Sequence, residues 1–169
     1  MKNLELKISI DNVLEITKKL NSIKAKNFGI LRQKDIYYDC ATGRLKLREI
    51  NNKKRQIIFY NRPNLKDLKI SDYKIINIKH EHDELLQLLL DNACKEKIIV
   101  EKQRNLWIYK NTRIHLDKVK NLGQFLELET VIKKNNIIRA KNEYKTIFNL
   151  LNLNKFKKHS KSYSDLLNI

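Results

Sequence analysis

The feature that most constrains this chain is the phase of its charges within alternating segments. Arg44 to Ile50 reads Arg-Leu-Lys-Leu-Arg-Glu-Ile, with Leu45 and Leu47 on one side and Lys46 and Arg48 on the other. Side chains two apart on a strand point the same way. The same period groups Glu5 with Lys7, Lys102 with Arg104, Arg113 with His115 and Asp117, and Glu127 with Glu129. The intervening residues are largely apolar: Leu6, Leu47, Ile114, Leu116 and Leu128. A single pair is what any half-exposed strand shows; five pairs point to a shared face. With the apolar faces packed against helices, the charged faces line the other side of the sheet. If that sheet curls, they line a tunnel.

The rest of the chain supplies the sheet and its helices. Alternation marks strands at Leu4–Ile10, Phe28–Asp39, Arg44–Ile50, Arg55–Tyr60 and Ser71–Ile78. Further strands fit Ile98–Arg104, Leu106–Tyr109, Thr112–Asp117 and Phe125–Ile132. Pro63 is expected to end the fourth strand, and Ala41-Thr42-Gly43 reads as a turn. Helical spacing of Val13, Ile16, Leu20 and Ile23 predicts a helix with Asp11 as its cap. Leucine-rich Glu81–Cys94 and the region from Ile137 to Leu151 give two more. The expected fold is α+β: an eight- or nine-stranded antiparallel sheet, closed or strongly curved, with flanking helices. The chain is expected to form one domain over residues 1–169, with 152–169 as a basic tail packing on the body.

A tunnel lined by lysine and arginine needs a polyanion, and the net charge of +17 points to an anionic partner as well. Lys46, Arg48, Arg62, Lys102, Arg104 and Arg113 can clamp phosphate oxygens, arginine by its rigid fork and lysine as a compact charge. Carboxylates in such a tunnel would repel that anion unless they hold a cation. Glu5, Glu127 and Glu129 can therefore hold Mg2+ or Mn2+, and Asp117 can hold metal or orient an attacking group. His115 reads equally as a hydrogen-bonding residue or a base, and Trp107 and Tyr109 as packing or tunnel-mouth residues. There is no Walker loop, GxGxxG turn, nucleophile elbow or CxxC pair. The leucines of 85–90 are too short a run to span a bilayer. A cytoplasmic protein without a membrane partner is expected.

In order, Asn3-Leu-Glu-Leu-Lys7, Gln33-Lys-Asp-Ile-Tyr37, Arg44-Leu-Lys-Leu-Arg-Glu49, Tyr60-Asn-Arg-Pro63, Ser71-Asp-Tyr73 and Val100-Glu-Lys-Gln-Arg104 resemble segments of the CYTH family (CyaB and thiamine triphosphatase-like domains). The segment from Arg113 to Glu129 is the strongest match, and Lys161-Ser-Tyr-Ser-Asp-Leu-Leu167 follows it. The nearer likeness is to the class IV adenylate cyclase-like branch. The resemblance implies the triphosphate tunnel fold and metal-dependent chemistry with Mg2+ or Mn2+. It assigns Glu5, Glu127 and Glu129 to the metal, and Lys7, Lys46, Arg48, Arg62, Lys102, Arg104 and Arg113 to phosphate binding. Lys7, Arg113 and Asp117 are the expected catalytic groups. It also makes a homodimer an expectation. The departure is Asn3, where the family's ExExK motif opens with glutamate; asparagine offers the metal a neutral carbonyl oxygen instead.

Three functions follow as expectations. The first is conversion of ATP to cyclic AMP and pyrophosphate. The second is hydrolysis of inorganic triphosphate, thiamine triphosphate or a nucleoside triphosphate. The third is non-catalytic binding of nucleotide, polyphosphate or RNA, which the acidic residues disfavour, since an RNA groove gains little from buried carboxylates.

Overall fold

A computed structural model describes residues 2–61 and 68–168. Its strands are β1 (Lys2–Ser9), β2 (Lys26–Tyr38), β3 (Arg44–Ile50), β4 (Lys54–Asn61), β5 (Lys69–Ile78), β6 (Glu96–Tyr109), β7 (Thr112–Val119) and β8 (Gly123–Val131). All pair antiparallel and close a barrel in the order β1-β5-β4-β3-β2-β6-β7-β8, with β8 returning to β1. The helices are α1 (Val13–Ser22), α2 (Asp83–Ala93), α3 (Ile137–Leu150) and the short α4 (Tyr163–Leu167).

The strand count settles at eight because Ile98–Arg104 and Leu106–Tyr109 belong to one 14-residue strand, β6. Asn105 between them keeps its place in the ladder, opposite Ile30 on β2 and Leu116 on β7. A polar residue on an outer face does not interrupt backbone pairing. The cap of α1 also shifts by one residue. Asn12, not Asp11, has the extended backbone of a cap, and its side chain accepts from Glu15 N at 3.0 Å. The expected stop at Pro63 lies outside the described residues.

The two phases of the strands part company in the barrel wall. Leu4, Leu6, Ile8, Ile114, Leu116, Leu126 and Leu128 point outward and are buried by α1 and α3, through Ile16, Leu20, Ala140, Tyr144 and Ile147. Trp107 packs in this same outer core rather than at a tunnel mouth. Glu143 of α3 fixes the docking angle, accepting from Asn111 N at 2.7 Å and Thr112 Oγ1 at 2.8 Å. Inside the barrel lies a second apolar cluster, where Tyr37, Val100, Val119 and Phe125 meet Tyr163 of α4.

The chain's last segment runs back across the wall. Ser9 N donates to Lys157 O and His159 N to Lys7 O. It ends in α4, whose Ser162 and Asp165 form a reciprocal capping box. Lys69, fully buried, donates to the carbonyls of His159 and Ser160 at 2.8 and 2.9 Å.

The two faces of α3 should differ sharply in urea denaturation. Ile147→Ala removes a fully buried side chain and is expected to cost about 2–5 kcal/mol. Leu150→Ala, on the exposed face, should change stability by about 0.5 kcal/mol or less.

Candidate functional site

The inward phase encloses a cavity of about 400 Å³. Lys7, Lys46, Arg48, Lys102, Arg104 and Arg113 line it together with Glu5, Glu127, Glu129 and Asn3. The closed barrel thus brings to one space charges that the chain spreads over more than a hundred residues. Arg62 lies outside the described residues.

Its cations are held in two groups. In the first, Asp35 of β2, fully buried, accepts from Arg48 Nε and Nη2 at 2.6 and 2.8 Å, from Lys46 Nζ at 3.1 Å and from Lys102 Nζ at 3.0 Å. Burial opposes its charge, but Arg48, Lys102 and Lys46 outweigh burial and hold its carboxyl well below the usual carboxylate range. One carboxylate against three cations leaves an excess of positive charge. Burial accordingly pushes the Lys102 ammonium down to about 7, with Asp35 opposing the shift and Arg104, Arg48 and Lys46 adding to it.

The second group faces the acids of β8. Arg104 donates from Nε to Asp117 Oδ1 at 2.7 Å and from Nη2 to Glu127 Oε2 at 2.7 Å. Arg113 Nε donates to Glu129 Oε2 at 2.9 Å and its Nη2 to Tyr73 Oη at 3.0 Å. Lys7 Nζ lies 3.2 Å from Glu127 Oε1 and 3.6 Å from the centre of the Tyr163 ring. Burial opposes ionisation of Glu127 and Glu129, but both carboxyls are held below their ordinary range, Glu127 chiefly by Lys7, His115 and Arg104, Glu129 by His115 and Arg113.

Three placements refine the sequence reading. Asp117 is buried behind Arg104 and accepts from Tyr163 Oη at 3.0 Å; it does not line the cavity. Asn3, with its amide oriented by its neighbours, accepts from Arg113 Nη2 at 2.8 Å and donates to Lys2 O at 3.1 Å. A neutral carbonyl thus braces Arg113 where the ExExK motif has a carboxylate. Glu5 stands opposite Glu129 across the β1–β8 ladder, and like charges so paired are unfavourable without a cation between them. Among the described residues, His115, Glu127 and Glu129 bring three ligand atoms within 4.8 Å of one another.

Asp35, Tyr73 and Tyr163 are the site residues that the charge pattern leaves out. All three do lie within segments that carry the family resemblance, Gln33–Tyr37, Ser71–Tyr73 and Lys161–Leu167.

Comparison with known structures returns the same architecture. PH1012 from Pyrococcus horikoshii OT3 is similar over 97% of this chain and 98% of that chain, at 23% identity and a TM-score of 0.83. A protein from Vibrio parahaemolyticus, provisionally described as an adenylate cyclase, is similar over 99% and 98%, at 16% identity and a TM-score of 0.78. HpAC1 from Hippeastrum, provisionally described as an adenylyl cyclase and reported to have a dominant triphosphatase activity, is similar over 98% and 95%, at 10% identity and a TM-score of 0.68. A sequence search finds no matching curated protein. No helix among the described residues is long and apolar enough to cross a membrane. The CYTH domain model matches residues 1–163, and with the closed tunnel now described, the chain belongs to the CYTH domain family.

Proposed function

We propose that the protein is a divalent-metal-dependent enzyme that acts on an organic triphosphate inside the barrel, with conversion of ATP to cyclic AMP and pyrophosphate as its reaction. The observation that carries this is the meeting of Lys46, Arg48, Lys102, Arg104 and Arg113 with Glu127 and Glu129 around one cavity. Cations alone would suit any polyanion; the acids among them suit a polyanion that arrives with a metal ion. Leu31, Ile50, Ile75 and Leu106 share the lining and offer apolar surface to an uncharged group such as a nucleobase, which inorganic triphosphate lacks.

Glu127 and Glu129, with Glu5 opposite, would hold Mg2+ or Mn2+, which when bound supplies positive charge against the phosphate oxygens. Arg48 and Lys102, held in place by Asp35, bind the triphosphate chain. Arg104 and Arg113, each braced by carboxylates, face the charge that builds on the transferring group and on leaving pyrophosphate. Asp117 and Tyr163 keep Arg104 in position. In cyclisation the ribose 3′-oxygen bonds to the α-phosphorus, the bond to pyrophosphate breaks, and the hydroxyl proton passes to solvent. Hydrolysis of the terminal phosphate is the second reading. It is favoured by the triphosphatase activity of HpAC1, which shares the fold.

Phosphorus NMR of products from ATP with Mg2+ or Mn2+ decides between them. Cyclic AMP with pyrophosphate is expected; orthophosphate with ADP would establish hydrolysis, and no turnover would overturn both. Arg48→Ala should raise KM for the same substrate, and unchanged kinetics in the folded variant would remove Arg48 from the site.

Asp35 orders three of the phosphate-binding cations, so Asp35→Asn should lower unfolding free energy by about 3–5 kcal/mol in urea titration. A loss below about 1 kcal/mol would show that the cations stand without it.

Lys102 supplies a pH test. Its folded pKa lies below the unfolded value, so near pH 8.5 it is mostly neutral in the free protein. A bound triphosphate restores its charge. Binding should therefore take up close to one proton at about pH 8.5 and far less at about pH 6. Calorimetry in buffers of different ionisation enthalpy measures the uptake, and Lys102→Met should abolish it.

A further inference from the structure

His115 is the inward residue of β7 between Arg113 and Asp117, paired in register with Glu127 of β8. It is 3% exposed. Its Nδ1 is buried and makes no hydrogen bond among the described residues. It faces Glu127 Oε2 at 3.8 Å and Glu129 Oε1 at 3.7 Å. Those separations exceed hydrogen-bond lengths, which fall near 2.7–3.2 Å for nitrogen donors. They suit two donors on one ion: with metal–ligand bonds of about 2.1 Å, donors can stand up to about 4.2 Å apart. A small cation between the three atoms therefore needs no backbone movement to reach the imidazole and either carboxylate. Glu127 Oε2 also accepts from Arg104, but a carboxylate oxygen has lone pairs for both.

The donor chemistry then sets the ion. Mg2+ takes oxygen ligands almost exclusively, whereas imidazole suits the first-row transition ions. We propose that His115 is a metal ligand, forming with Glu127 and Glu129 a mixed nitrogen–oxygen site that prefers Mn2+ to Mg2+. The inference rests on reading Glu127 and Glu129 as metal-site acids, and not on which reaction the tunnel carries.

The test uses the whole protein loaded with Mn2+ alone and read by pulsed electron paramagnetic resonance. A coupling from directly bound ¹⁴N is expected, replaced by the ¹⁵N pattern when histidine is ¹⁵N-labelled. It should survive the double substitution His80→Gln with His82→Gln, which removes two exposed imidazoles, and vanish in His115→Gln. Calorimetry should show Mn2+ affinity falling at least about tenfold in His115→Gln, with Mg2+ affinity within about twofold of the parent. Labelling of the unmodified protein keeps the test decisive if His115→Gln fails to fold. Mn2+ bound without nitrogen coupling, or Mn2+ and Mg2+ affinities that fall together in His115→Gln, would overturn the assignment even where turnover stays metal-dependent. Turnover that needs no metal would instead sink the functional reading, whatever the resonance shows.

Discussion

The interior of this barrel is crowded with like charge, and for Lys46, Arg48 and Lys102 a single buried carboxylate makes that tolerable. Asp35 accepts hydrogen bonds from Arg48, Lys46 and Lys102 at once. Without it, Lys46 and Arg48 of β3 would face Lys102 of β6 across β2 in low dielectric. With it they are ordered but under-neutralised, which is why burial still drives Lys102 down to about 7. The same arrangement leaves this side of the cavity with positive charge that the protein itself does not neutralise.

The wall follows from that interior. An inward phase given to charge and tyrosine leaves the outward phase of β1, β7 and β8 for aliphatic residues, and these need cover. α1 and α3 provide it, with Glu143 setting how α3 meets the β6–β7 turn. The inner end is sealed differently. Tyr163 lays its ring under Lys7 and its hydroxyl on Asp117, so the last helix belongs as much to the site as to the core.

Much of this was legible in the sequence because a strand's period of two is a local signal. Lys46 and Arg48, or Glu127 and Glu129, declare a shared face within three residues, and ordered family-like segments made the closed tunnel an expectation. What stayed hidden depends on distant partners. Asp35 sits between Lys34 and Ile36 and looks like any surface acid; its partners lie 11, 13 and 67 residues away. Asp117 shows its phase but not that Arg104 and Tyr163 screen it from the cavity. Asn105 stands between the two stretches that β6 joins, and its side-chain polarity says nothing about whether the backbone stays paired. The choice of Asn12 over Asp11 as cap turns on one residue's backbone angles, which adjacent cap-forming side chains do not distinguish.

The way the tail seals the barrel also has a consequence for time. Lys7 meets the carbonyl of Lys161, 154 residues later, and β1 pairs on one side with β5 and on the other with β8. During synthesis one edge of β1 stays open until β5 has emerged, and the other until β8 follows it. Contacts this distant in sequence form slowly. Unpaired edges are templates for wrong partners, and Lys2, Glu5 and Lys7 on that strand discourage such pairing before the right one arrives. Glu5 and Lys7, which line the cavity of the finished barrel, thus also protect the nascent strand before there is a cavity to line.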